Sequence, residues 1–150
     1  MKRMKITSAS VVLLSLLFFN SSVSAESEGI IKYRKNVMKT NAGHMGAIMD
    51  ILKNNLPLKT HVVDHARSIN QNSKMILSMF PKGSDLGDTK AKSAIWKNWS
   101  KFETASNAFV RESATLAKVA ESGDMKAFAK QVRATGKTCG GCHKHFKERE

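Results

Sequence analysis

The sequence predicts an all-α protein, an antiparallel four-helix bundle. Three observations carry that reading. Apolar residues recur at three- and four-residue spacing in four separate stretches. No stretch alternates with period two. Only two prolines and nine glycines stand among 150 residues, too few for the closely spaced turns of a sandwich or barrel. A hydrophobic content of 41% supports one sizeable core and excludes a disordered chain. Two cysteines exclude a disulfide-built mini-protein.

The first 25 residues read as a secretory signal peptide rather than as part of the bundle. Lys2, Arg3 and Lys5 make a positive n-region, Val11 to Phe19 an apolar h-region, and Val23-Ser24-Ala25 a small-residue cleavage site. The apolar run is too short to span a bilayer, so an uncleaved anchor is the weaker reading. Cleavage leaves residues 26–150 as the functional domain and takes the net charge from +13 to +10. The chain is expected to be exported to a periplasm, with no membrane attachment after cleavage.

In the first helix, Ile31, Arg34, Met38, Ala42, Met45, Met49 and Leu52 form one stripe at about 100° per residue, with Arg34 its only charge. The helix is expected to stop near Asn54-Asn55, ahead of Pro57. A second helix from Leu58 to Met79 carries Val62, Ala66, Ile69, Ser73, Ile76 and Phe80, and Pro81 ends it. After a turn-rich loop at 82–87, Asp88 or Thr89 is expected to cap a third helix. Its stripe is Ile95, Trp99, Phe102, Ser106, Val110, Ser113 and Ala117, and Gly123 closes it. Asp124 caps the fourth helix, whose inward face is Phe128, Val132, Thr135, Cys139, His143 and Phe146. Gly136, Gly140 and Gly141 weaken its intrinsic helicity, so packing or a ligand must hold its last turns.

The chemistry concentrates in Cys139-Gly140-Gly141-Cys142-His143. This C-x-x-C-H run is the attachment signal of c-type haem. On a helix, positions 139, 142 and 143 share a face, so two thiols can add to the haem vinyl groups while the next imidazole ligates the iron. Three other readings are weaker. A thioredoxin-like pair wants a strand–helix setting. A zinc site using Cys139, Cys142 and His145 lacks a second ligand pair at zinc spacing. A disulfide would close a very small loop inside a helix. The expected cofactor is therefore one covalent haem c, with Cys139 and Cys142 its attachment points and His143 the axial iron ligand.

Other features carry less. Arg34 either snorkels from the bundle edge or meets a haem propionate. Met38, on the same stripe, is more often core filler than ligand. His44, His61 and His65 read as surface or boundary residues, His145 as outward-facing, and Trp96 and Trp99 as packing. The basic charge is spread along all the helices. No nucleic-acid motif accompanies it, so it reads as a solvated surface suited to acidic redox partners.

In these features the sequence resembles the cytochrome c-prime family, the class II c-type cytochromes with a C-terminal haem motif. The resemblance covers nearly all of the chain after the leader. It rests on Ile31-Lys32-Tyr33-Arg34-Lys35-Asn36-Val37-Met38, on Phe80-Pro81-Lys82-Gly83-Ser84-Asp85 leading to Ala94-Ile95-Trp96, on Ser122-Gly123-Asp124, and on Cys142-His143-Lys144-His145-Phe146-Lys147. It implies Arg34 near a propionate with Lys35 beside it, Met38 facing the sixth iron position, and Lys147 on the proximal side. It also places Asp88 near the haem edge. For the whole molecule it implies a homodimer packed through the first two helices, and a periplasmic electron carrier that binds NO and CO.

The function expected is a haem protein of the electron-transfer class rather than an enzyme, since no acid–base or nucleophile constellation accompanies the motif. Two alternatives stand: a low-spin His/Met carrier of the same class, with Met38 bonded to iron, and a dedicated gas-binding or sensing module. The first-helix Tyr33-Arg34 pair resembles that of the high-spin members of the class, which implies the five-coordinate form.

Overall fold

The computed structural model describes the backbone of residues 10–149 and the side chains of residues 25–149. Helix α1 spans Ser10–Lys53, α2 His61–Ser73, α3 Ala94–Lys97, α4 Trp99–Glu121 and α5 Met125–Phe146, with one 3-10 turn at Leu77–Met79. Among the described residues the only β pairing is an antiparallel bridge between Ala91 and Lys147. The four long helices make the expected bundle. None of the described helices is long and apolar enough to cross a membrane.

Helix ends follow local chemistry. Asn55 adopts φ 47°, and the Leu56 amide donates to the Ile51 carbonyl at 3.0 Å, closing α1 where expected. Gly123, at φ 73°, ends α4. One Asp124 carboxylate oxygen accepts from the Lys126 and Ala127 amides at 3.0 and 2.9 Å, opening α5.

Three expectations need correction. α2 stops at Ser73 rather than Met79. The Ser73 and Ser78 hydroxyls donate to the Asn70 and Met75 carbonyls, which competes with regular helix, and the chain tightens into the 3-10 turn. The third long helix does not start at Asp88 or Thr89. Asp88 is held by Lys35 of α1, and Thr89, held by Arg34, accepts from the Ala91 amide at 3.0 Å in a turn that lies ahead of the helix. Asn98, with φ −130° and ψ 50°, then separates the short α3 from α4. The apolar faces are also turned slightly. Met49 and Trp99 are 49% and 38% exposed, while Ile48, Ile51, Phe109 and Leu116 are buried in their place. A helix face is over 100° wide, so residues on its flank can take the interior.

α1 runs back without a break through the predicted cleavage point at Ala25. The predicted n-region, Lys2, Arg3 and Lys5, lies outside the described residues.

Packing is uneven around the bundle. α5 lies along α4, α4 along α2, and α2 along α1, whereas α1 and α5 have no comparable contact. Between those two helices lies a cavity of about 400 Å³. The bundle is therefore closed on three sides and open-cored on the fourth.

Candidate functional site

The cavity gathers the motif of α5 and the stripe of α1. Cys139, Cys142 and His143 border it from α5, and Arg34, Lys35 and Met38 from α1. Phe80, Phe102 and Phe109 supply an aromatic wall. Two rings of that wall pack edge to face, Phe80 against Phe102 with centroids 4.9 Å apart. The interior is thus a mostly apolar slot with thiols and an imidazole on one side and a thioether among the groups on the other.

Both cysteines are free thiols in partly buried positions. Burial raises their pKa values, that of Cys142 to about 11. They are protonated near neutrality, the reverse of a thioredoxin-type pair, which needs a depressed thiolate. His143 is shifted downward by desolvation and then by Lys147, which favours the neutral imidazole that an iron ligand must be. Among the described residues no three His, Cys, Asp or Glu side chains gather as a metal-ion site, so the zinc alternative has no ligand set.

Arg34 departs from one of its two sequence readings, the snorkelling one. It does not snorkel: it is only 3% exposed. Its guanidinium donates to the Ser84 hydroxyl at 2.9 Å, the Ser84 carbonyl at 2.7 Å and the Thr89 hydroxyl at 2.6 Å. It also lies 4.7 Å from the Phe80 ring centroid. No carboxylate among the described residues pairs with it. Desolvation lowers its pKa, and Asp85 offsets this only in part. A buried cation on a cavity wall without an anion is costly, and a ligand carboxylate entering the slot would complete it. Lys35 meets Asp88 at 2.7 Å in an exposed ion pair at the rim.

A second observation concerns fit. A Cβ built on Gly136, Gly140 or Gly141 would meet nothing within 4 Å. No protein atom requires glycine there, and Gly136 borders the cavity. At Gly136 the space left without a side chain adjoins the slot, which suits a flat group lying against α5. The residues present therefore fit a haem: an apolar slot, two thiols and a neutral imidazole on one face, and an unpaired buried cation.

Lys147 also borders the cavity, and its amide donates to the His143 carbonyl at 3.0 Å. His145 is exposed, as expected. Trp96 packs through its indole, which donates to the Phe80 and Pro81 carbonyls at 3.1 and 3.0 Å. Sequence reasoning missed Ser84 and Thr89 as the seat of Arg34. Ser84 looked like a turn residue and Thr89 like a cap, and nothing local ties either to a residue fifty positions away.

Comparison with known proteins agrees with this geometry. Residues 29–147 match the family described as Cytochrome C'. A cytochrome c' of Rhodospirillum rubrum is 35% identical over 148 residues, covering 98% of this chain and 99% of that protein. The solved cytochrome c prime of Shewanella frigidimarina superposes with a TM-score of 0.77 at 31% identity, over 82% of this chain and 97% of that one. A variant of the Alcaligenes xylosoxidans protein, solved as its nitric oxide complex, shares the fold with a TM-score of 0.77 at 22% identity, over 83% of this chain and 97% of that one. An apolar slot bordered by C-x-x-C-H in an open-cored bundle, and a match along nearly the whole chain, place this protein in the cytochrome c' family.

Proposed function

We propose that the chain is a periplasmic cytochrome that holds one haem c through thioether bonds to Cys139 and Cys142, with His143 as axial ligand. The observation that carries this is the placement of all three groups on one helix beside a cavity that α1 and α5 leave between them. When bound, such a haem supplies a one-electron iron couple and, where its sixth position is open, a site for NO or CO.

The protein's own residues prepare that site. His143, kept neutral, presents a lone pair. Arg34, fixed by Ser84 and Thr89, holds a positive charge for a propionate. Phe80, Phe102 and Phe109 exclude water. Met38 crowds the distal side without a polar group, which admits small neutral gases and disfavours anions that would be desolvated there. The nitric oxide complex of the Alcaligenes xylosoxidans relative supports gas binding. The exposed lysines and arginines of α5, among them Lys126, Lys130, Arg133, Lys137 and Lys144, suit an acidic electron partner. No catalytic turnover is part of this reading.

Optical spectra of the oxidised, reduced and CO-treated reduced protein test it. A Soret band that stays with the polypeptide through acid–acetone extraction, and that shifts on CO addition, is the expected result. A second reading, a low-spin His/Met carrier, is favoured by the position of Met38 on the cavity wall. A band near 695 nm in the wild type that vanishes in Met38→Ala would establish that reading instead. A homodimer through α1 and α2 is expected in solution, and sedimentation showing only monomer at micromolar concentration would refute it.

A further inference from the structure

Away from the cavity, three histidines of α1 and α2 are arranged in a way the haem does not use. His61 and His65 stand four residues apart at the start of α2, so their side chains share a face one turn apart. His61 is exposed and His65 partly buried. From α1, His44 brings its Nδ1 to 3.0 Å from Nδ1 of His65, with the ring centroids 5.2 Å apart. That centroid distance, with each nitrogen just over 1 Å from its ring centre, requires the two nitrogens to point almost straight at each other. One of them carries the proton and the other accepts it.

We propose that His61 and His65 chelate a divalent transition-metal ion through their outward nitrogens, with His44 as the positioning residue that fixes the tautomer of His65. If His65 donates from Nδ1 to His44, its Nε2 is left as a lone pair, the state a metal requires. A metal-bound histidine ordinarily donates its second ring N–H to a fixed acceptor, and His44 is that acceptor, already in place. Asp64, in the first turn of α2, offsets the positive end of the helix dipole. Two imidazoles with the remaining positions open to water suit Cu²⁺ above the other divalent ions of the first row.

The test is a titration of the protein as purified, haem included, with Cu²⁺ alone, followed by calorimetry and by the copper electron paramagnetic resonance signal. One copper per chain with nitrogen hyperfine structure from two imidazoles is expected, with the Soret band unmoved. His61→Ala should weaken binding at least tenfold. So should His65→Asn, whose amide still donates toward His44 but offers no second nitrogen. His44→Ala should weaken it roughly ten- to a hundredfold, with unchanged helical circular dichroism. His145→Ala, exposed on α5, should bind as the wild type does. Wild-type affinity in either His61→Ala or His65→Asn would overturn the chelate, and wild-type affinity in His44→Ala would overturn its positioning role.

Discussion

Arg34 shows how a single side chain can organise a loop and a site at once. Three hydrogen bonds from its guanidinium end on Ser84 and Thr89, which pins the segment between them against α1. Hydrogen bonds to a charged group are each worth about 1.5–3 kcal/mol, partly offset by the burial of the charge. Arg34→Met is therefore expected to lower unfolding stability by about 2–4 kcal/mol in urea denaturation, and to open the 82–90 segment to proteolysis. Lys35 and Asp88, at the rim, make a weaker tie. Lys35 lowers the Asp88 pKa through its hydrogen bond and its charge. A carboxylate with a depressed folded pKa stabilises above its unfolded value near 4 and loses that contribution as pH falls through the folded one. Asp88→Asn should thus be slightly less stable than wild type at pH 7, by a gap that shrinks in high salt and closes below about pH 4. Thermal midpoints at the two pH values check it.

At the level of the helices, what could be read in advance was what neighbours in sequence decide. Asp124, Gly123 and the Asn54-Asn55 stop are local signals, and each works as its chemistry suggests. Asp124→Ala should cost about 1 kcal/mol, because it strips a carboxylate from two amides, and should speed amide exchange in the first turn of α5. The C-x-x-C-H run was legible for the same reason, since its three functional groups lie within five residues. The turn-rich loop at 82–87 was legible from its own residues, but the early end of α2 and the late start of the third long helix were not. The conformation of the segment between Ser73 and Trp99 is set by Arg34 and Lys35 from α1 and by the residues after α5, all remote in sequence. Asp88 and Thr89 have good cap chemistry, yet Lys35 holds the Asp88 carboxylate, and Thr89, bound to both Arg34 and the Ala91 amide, serves a turn ahead of the helix. Face assignments failed at the flanks, where Met49 and Trp99 stay exposed while Ile48 and Phe109 are buried.

For the molecule as a whole, the uneven closure of the bundle governs stability. A cavity of about 400 Å³ lined by aromatic and aliphatic groups is a large void for a chain of this size. Filling such a void recovers contact with every wall. The double variant Cys139→Ser with Cys142→Ser, which cannot form the thioethers, should show lower helical circular dichroism and a lower thermal midpoint than wild type. The loss should concentrate in α5, whose three glycines cost about 2–3 kcal/mol relative to alanine. Equal midpoints would mean that α5 stands by packing on α4 alone.

The chain beyond α5 has a mechanical meaning. Ala91 and Lys147 face each other in the antiparallel bridge, the Lys92 amide donates to the Phe146 carbonyl at 3.0 Å, and the Glu148 amide donates to the Lys90 carbonyl at 2.8 Å. With the Asp124 carboxylate at its other end, α5 is a beam supported at both ends rather than a cantilever. Bending is then smallest near the supports, and Cys139, Cys142 and His143 all stand close to the second one. The residues after the motif are thus part of its foundation, and the last turn of α5, which would otherwise fray, is held in register with the opposite wall of the slot.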